Sequence, residues 1–405
     1  MKFKVILFIL CILCTQIQAG SVLSSEGVGL PLASVDGQSM GMGGVSIAVP
    51  DPFHLSSANP AGLHTIDLSR FTIHYLYESN TFQTNQGSAK YPYSNFEGFI
   101  FGVPVTSNSA LAFGLKPYSR VDYKTSLSNQ INDIAYDQII TGSGGLNTID
   151  LSGSFKFMKN LAAGITGHFY FVRIEKNWLI DFSGTQHYTT KDTYATRASG
   201  AGFTLGLHYQ PMPDLTIGAV WTPSAKLNTK TFLDYKAIED NSEVTYIHYR
   251  DTLTSNIRIP ASIGFGLGWR INTKWKIGSD LVFTDWDEMK IDNQSCNKLH
   301  SVIQSAVGIE YIVTQNPYAP FFKKCIYRTG FSYTPFYTTD ISDQAIHEWH
   351  LTTGIGIPIW NNSSRANIAF SYGKRGSLDT NGLSETLFRI ILSLDAGEKW
   401  FLRRR

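Results

Sequence analysis

The sequence is short of cysteine, of charge and, above all, of long apolar runs. It holds 4 cysteines in 405 residues, and two of these, Cys11 and Cys14, sit close to the N-terminus. Their CxxC spacing resembles a redox pair, but the segment around them reads otherwise. Met1-Lys2-Phe3-Lys4, the apolar run from Val5 to Cys14 and the ending Gln16-Ile17-Gln18-Ala19 fit the charged, greasy and cleavage regions of a signal peptide. Residues 1–19 are therefore expected to be removed as the chain leaves the cytoplasm. Leu10 and Leu13 precede the two cysteines, where a lipid anchor wants a small residue. Cys296 and Cys325 remain as one bridge at most, too few for the fold to depend on disulfides.

The leading apolar run is about ten residues, short of the ~20 that a membrane-spanning helix needs, and no later stretch approaches that length. Helical spans are excluded. Loss of Lys2 and Lys4 takes the basic residues from 34 to 32, against 32 acidic ones. The mature chain is thus near neutrality and carries no nucleic-acid footprint. Helical periodicity is scarce as well, and a soluble two-domain protein of this length would show it.

What is present is alternation. Ile149, Leu151, Phe155 and Phe157 alternate with Asp150, Ser152, Ser154 and Lys156, and Phe203, Leu205 and Leu207 with Gly202, Thr204 and Gly206. Ile263, Phe265, Leu267 and Trp269 oppose Gly264, Gly266, Gly268 and Arg270; Leu351, Ile355 and Ile357 oppose Thr352, Gly354 and Gly356. Such runs mark about fourteen strands, an even number in the range of outer-membrane barrels. They are expected to begin near Phe71, Phe96, Leu111, Ile149, Leu161, Ala201, Leu215, Arg258, Lys274, Val302, Ile326, Trp349, Asn367 and Leu387.

The connections differ in length by parity. Thr106-Ser107-Asn108, Met158-Lys159-Asn160, Pro211-Met212-Pro213-Asp214, Ile271-Asn272-Thr273 and Asn361-Asn362-Ser363-Ser364 are tight, whereas long loops are expected over 118–147, 176–197 and 223–256. Short turns on one rim and long loops on the other are the periplasmic and extracellular ends of a transmembrane antiparallel β-barrel. An exported soluble sandwich would also alternate, but its outer face should be rich in Lys and Glu, and here the non-apolar face is mainly Gly, Ser and Thr. Tyr75, Tyr77, Trp275, Trp286, Tyr333, Phe336, Tyr337 and Trp360 fall near strand ends, where interfacial girdles are expected.

Before the first strand lies an apolar, proline-broken stretch with Gly41-Met42-Gly43-Gly44, Asp51-Pro52-Phe53 and Asn59-Pro60-Ala61-Gly62-Leu63. It has no sheet partner of its own, and a barrel of about fourteen strands is wider than its side chains can close. The expected arrangement is a hatch, residues 20–69, plugging the lumen of a barrel formed by 70–405. Met40, Met42, Val45, Ile47, Val49, Phe53 and Leu55 bring apolar surface into a polar lumen, and a hydrophobic solute would bind there.

Catalytic and metal signals are weak. Gly264-Phe265-Gly266-Leu267-Gly268 lacks the strand-turn-helix setting of a phosphate loop, and His347-Glu348-Trp349-His350 has the wrong spacing for zinc and reads as rim polarity. Asp285, Asp287 and Glu288 read as a solvated charge cluster rather than a cation site. No nucleophile, base and orienting group come together in the pattern, so no enzyme is expected.

The chain resembles the long-chain fatty acid transporter family of outer-membrane proteins, the FadL/TodX type. The resemblance is carried by Gly41-Met42-Gly43-Gly44, Asp51-Pro52 and Asn59-Pro60-Ala61-Gly62-Leu63, which are similar to that family's hatch motifs. Arg258-Ile259-Pro260-Ala261-Ser262-Ile263-Gly264, Lys274-Trp275-Lys276-Ile277-Gly278 and Thr284-Asp285-Trp286 carry it too, with weaker matches at Tyr327–Tyr333 and Ser371-Tyr372-Gly373. It implies a monomeric fourteen-stranded barrel in outer-membrane lipid that takes up fatty acids or similar hydrophobic molecules passively. The ligand meets the hatch, at Met40, Met42, Phe53 and Leu55, and leaves sideways through the wall; no ATP or redox cofactor is required. Gly41, Gly43, Gly44, Asn59, Pro60 and Ala61 would be the hatch motif. The family ends on an aromatic residue, whereas Trp400-Phe401 is followed here by Leu402-Arg403-Arg404-Arg405. The polar loop over 223–256 shows no greasy capture groove. The alternative is a non-transporting barrel of the same class that shuttles or holds secreted or surface proteins through its long loops.

Overall fold

The structure, a computed structural model, describes residues 20–32, 36–131, 134–182, 188–238, 245–291, 294–295, 299–314, 316, 318–340, 342–359 and 363–399. Fourteen antiparallel strands close a barrel. In chain order they are β1 (Ser69–Thr84), β2 (Gly87–Thr106), β3 (Ser109–Ile131), β4 (Ile134–Met158), β5 (Leu161–Phe182), β6 (Thr189–Met212) and β7 (Leu215–Thr222 with Ala225–Ile238). There follow β8 (Thr245–Ile259 with Ser262–Arg270), β9 (Trp275–Thr284), β10 (Val302–Ile312), β11 (Ile326–Thr339), β12 (Ala345–Ile359), β13 (Ser364–Ser377) and β14 (Leu383–Glu398). The ring closes where β14 pairs with β1, from Leu383↔Thr84 to Glu398↔Ser69.

The alternation decides which way each face points. Leu151, Phe155, Leu205, Leu207, Phe265, Leu267 and Leu351 are exposed on the outside, while Thr148, Asp150, Ser154, Thr204 and Thr352 are buried inside. Apolar side chains that look outward along a closed sheet need lipid around them, and polar ones that look inward need partners within.

Three expected loops are strand. A barrel strand crosses a bilayer in ~9–11 residues, yet β3, β4, β5 and β6 run for 23, 25, 22 and 24. The segments 118–147, 176–197 and 223–256 therefore continue the wall as paired hairpins whose distal parts extend beyond the lipid-facing band, with only their tips outside the described residues. They read as loops because they are polar, but their Thr, Ile and Tyr content suits a pleated, half-wet sheet. At Pro223 and Pro260 the strands β7 and β8 break, as a residue without an N–H requires.

Two further expectations are corrected. Trp286, Phe336 and Tyr337 are buried inside the barrel rather than placed in a girdle, with Trp286 and Tyr337 stacked at 4.2 Å between centroids. A register shift between Pro335 and Thr339 turns Phe336 and Tyr337 inward. Glu348 and His350 are also buried and paired to one another, so they belong to the lumen and not to the rim; His347 alone stays near the surface, against the Tyr333 hydroxyl at 2.8 Å. Trp360, Cys296 and the C-terminal aromatics lie outside the described residues, and Cys325 is buried beside the Phe321 carbonyl at 3.4 Å.

Candidate functional site: the N-terminal segment, the cavity and a gap in the wall

Residues 36–66 contact strands from opposite sides of the ring, β4 to β6 through one turn and β11 to β14 through another, and so lie within it. Asp36 caps a short helix, α1 (Gly37–Gly41), by accepting the Ser39 N–H at 2.7 Å. The chain then reverses at Gly43 and Gly44, both with positive φ (73° and 99°). A side chain at Gly43 would also come within 2.7 Å of the Phe331 nitrogen, so this position needs glycine twice over. Asn59 caps the second turn, Pro60–Thr65, accepting from the Ala61 N–H at 3.0 Å; Pro60 starts it where no N–H is needed. The Asn59 amide also donates to the carbonyls of Ile47 (2.9 Å) and Leu207 (3.1 Å), which joins both parts of the segment to the wall.

The wall is shaped to receive this backbone. A Cβ at Gly206 would lie 2.1 Å from Asn59 Oδ1, one at Gly164 2.5 Å from the Pro60 carbonyl carbon, and one at Gly330 2.2 Å from that of Met42. These inward glycines are contact points for the segment inside.

Charge fixes the same region. His54 lies 2.9 Å from Asp395 and 3.2 Å from Asp36, all three buried. Burial works against the imidazolium, but the carboxylates of Asp395 and Asp36 override it and lift the His54 pKa to about 10. Burial likewise opposes ionisation of Asp36, yet His54, His74 and Ser39 hold its carboxyl far below the usual range. Arg365 grips Asp51 at 2.6 Å and, with Lys276 and the Phe53 N–H, keeps that carboxyl ionised despite burial. Asp280 accepts the N–H groups of Ser46 (2.6 Å) and Ile47 (2.9 Å), while Arg328 joins Glu310 and Asn367, each at 2.8 Å.

The four expected ligand contacts are not gathered in one place. Met40 borders a cavity of about 380 Å³ that is also lined by Gly43, Gly44, Ser46 and Ile47. Met42 packs with Val45 and Val49, and Leu55 with Leu63, Ile66 and Ile100; neither borders that cavity. Phe53 is clamped between the guanidinium groups of Arg70 and Arg365, each 5.0 Å from its ring centroid, and has a holding geometry. Of the expected motif residues, Gly41, Gly43, Gly44, Asn59, Pro60 and Ala61 all make the backbone turns or close approaches just described.

The wall has a defect beside the cavity. The β2–β3 ladder runs only from Thr106↔Ser109 to Phe99↔Leu115, while β3 and β4 pair from Ser109↔Phe155 to Ile131↔Ile134. Above Phe99 and Leu115, no pairing joins the two strands among the described residues. Residues 20–32 occupy this gap. Leu30 and Pro31 pair with Arg120 and Ser119 of β3, the Leu32 N–H donates to the Tyr118 carbonyl at 3.0 Å, and the Ser119 hydroxyl donates to Val28 at 2.5 Å. The Tyr337 hydroxyl, at 3.0 and 2.6 Å, is set against the carbonyls of Glu26 and Gly29.

The buried charges of the lumen were invisible as a group in the sequence. Glu78 binds Arg120 and Arg389, and Arg375 spans Glu348 and Glu385, each ion pair bridging different strands. The signal available was an occasional Glu or Arg on the small, polar face; only register shows which of them meet.

The BamG family model matches residues 1–405. The chain belongs to the BamG family. Comparison with curated proteins gives no match. Among solved structures, this BamG-family chain is similar to the CymD monoaromatic hydrocarbon channel, at 14% identity and a TM-score of 0.62, covering 92% of this chain and 100% of that one. It is also similar to a Pseudomonas aeruginosa FadL homologue (14%, 0.61, 91% and 98%) and to the Pseudomonas putida toluene transporter TodX (16%, 0.59, 94% and 99%). At such identities the likeness is one of fold. The resemblance to the fatty acid transporters thus holds for architecture, while the sequence family is BamG.

Proposed function

We propose that the protein is a passive outer-membrane conduit for hydrophobic compounds, with residues 20–68 as its hatch. A solute enters the cavity from the extracellular side and leaves sideways between β2 and β3 when residues 20–32 swing out. The observation that carries this reading is the β2–β3 edge, unpaired among the described residues above Phe99↔Leu115 and met there by a segment whose strand pairs are Leu30↔Arg120 and Pro31↔Ser119. An apolar solute that moves from cavity to lipid this way avoids water throughout. Nothing in such a path calls for an energy source.

A reversible lock tests it. Pro31→Cys with Ser119→Cys places two thiols at facing positions, within the Cα separation a disulfide accepts. Oxidation should stop uptake of a labelled hydrophobic solute into proteoliposomes, and reduction should restore it. Equal uptake by both forms contradicts a lateral path.

A second reading is favoured by one observation: Trp178, Tyr194, Tyr235 and Tyr249 form a ladder across four adjacent strands of the extramembrane sheet, with successive centroids 6.0, 5.9 and 6.0 Å apart. Such a face suits a secreted or surface protein partner. Pull-downs that depend on 118–147 or 223–256 while uptake is absent would favour it over conduction.

A further inference from the structure

We propose that the cavity selects neutral, hydroxyl-bearing apolar compounds, held by Glu97 and Arg120 at the edge of the wall gap. This rests on the conduit reading above and narrows its substrate class.

Glu97 stands on β2 just above the last β2–β3 rung, Phe99↔Leu115. A bulge there, where His74 faces Gly98 and Tyr75 faces Phe96, turns Glu97 inward along with Gly98. Glu97 is 1% exposed, borders the cavity, and neither of its carboxylate oxygens has a hydrogen-bond partner. Across the gap, Arg120 also borders the cavity and leaves Nε and Nη1 without partners. It is not free to turn toward Glu97: Glu78 holds Nη2, and the guanidinium lies over the Tyr93 ring at 4.0 Å. The cavity therefore has unpartnered acceptors on β2 and unpartnered donors on β3. Leaving such groups unmatched in a buried setting is costly, about 1–3 kcal/mol per neutral group and more for charged ones.

A hydroxyl matches both at once. It donates to a Glu97 oxygen and accepts from an Arg120 N–H, and it brings no charge. A carboxylate head would face Glu97 with like charge, and an ammonium head would face Arg120 the same way. Other cations along the cavity are already engaged: Lys116 with Asp150 at 3.3 Å, Arg375 with Glu348 at 2.6 Å, and Arg389 with Glu78. Leu30, Met40, Leu76 and Ile391 offer apolar surface for the rest of the molecule. A site built to hydrogen-bond a hydroxyl rejects the analogue that lacks it more strongly than an apolar pocket rejects a missing methylene.

The test compares octan-1-ol, octanoate, octylamine and octane as ligands of the full protein in lipid nanodiscs, with empty nanodiscs subtracted. Octan-1-ol is expected to bind roughly tenfold or more tightly than any of the other three. In Glu97→Leu that preference should shrink to within about threefold, with octane unchanged; in Glu97→Gln, which keeps an acceptor but loses the charge, the preference over octanoate should shrink to within about threefold, and this variant carries the comparison where Glu97→Leu does not fold. Octanoate binding as well as octan-1-ol, a preference that survives both variants, or a structure with octan-1-ol present that shows only water at Glu97, overturns the hydroxyl site and leaves the conduit standing. Failure of all four to bind overturns both.

Discussion

Residues 36–66 meet the barrel through buried ion pairs and capped turns, whereas residues 20–32 form no ion pair with it among the described residues and meet it through strand pairs and single hydrogen bonds. The first region holds His54 between two carboxylates, Asp51 on Arg365 and Asn59 on three partners. The second relies on two strand pairs, the hydroxyls of Ser119 and Tyr337, the Ser24 hydroxyl on the Asp122 carbonyl at 3.0 Å, Lys176 on the Ser25 carbonyl at 3.1 Å, and one hydrogen bond to a carboxylate, from the Ser21 hydroxyl to Glu385. Removing one member of a buried pair strands the other charge, at ~3–5 kcal/mol, while a neutral hydrogen bond contributes only ~0.5–1.5 kcal/mol net. The difference suggests a division of labour: the lower part seals the lumen against water, and the upper part is the piece that moves.

The sharpest break in that contrast is Asp395→Ala, which leaves the buried His54 imidazolium with Asp36 alone and also frees Thr72 and Asn367. Liposome-swelling assays should show leakage of small sugars rising several-fold, on the ~3–5 kcal/mol scale of a broken buried pair. Deleting residues 20–29 should do the reverse, raising hydrophobic uptake and leaving sugar leakage near that of the native protein. If both changes produced the same leak, the two regions would not be distinct. Asn59→Ala loses a cap and two carbonyl contacts and should release the hatch by about 1–3 kcal/mol, read as faster proteolysis of 36–66 in an assembled barrel.

pH sharpens the contrast more gently. The His54 pKa is raised, so its contribution is complete below the ordinary imidazole range near 6.5 and is lost as pH climbs through about 10. Asp36 and Asp51 are shifted down, so theirs is present above the ordinary carboxylate range and is lost only in strong acid. Sugar leakage is expected to be flat from about pH 5 to 6.5 and to rise from there toward pH 10; a leak that is constant to pH 10 would detach His54 from the seal. The smallest effect belongs to Phe53→Ala, which removes two cation–π contacts of about 0.5–1 kcal/mol each and should loosen the hatch slightly with uptake little changed.

The barrel was legible because lipid and lumen impose opposite chemistry on neighbouring residues, so runs such as Ile263 to Arg270 reveal both strand and facing. The turns of the N-terminal segment were legible for a similar reason: Gly43, Gly44 and Asn59-Pro60 have backbone requirements that few other residues meet. Position was harder. Phe53 and Leu55 look like ligand contacts because they are apolar, and only the fold places one between two arginines and the other in a small core. Glu97, Phe336 and Tyr337 escaped because bulges reverse the parity of their strands, and a bulge leaves little trace in composition. The gap between β2 and β3 is a property of pairing, and β2 and β3 both alternate as if they were joined.

Hydrogen exchange on the full protein in lipid nanodiscs tests the division between the two regions most directly. The amides of Gly29, Leu30 and Leu32 should exchange roughly tenfold or more faster than those of Ser39, Gly43, Ile47 and Ala61, all in an intact barrel. Equal protection across the whole segment, or faster exchange in the lower part, would contradict a fixed seal with a mobile wall segment above it.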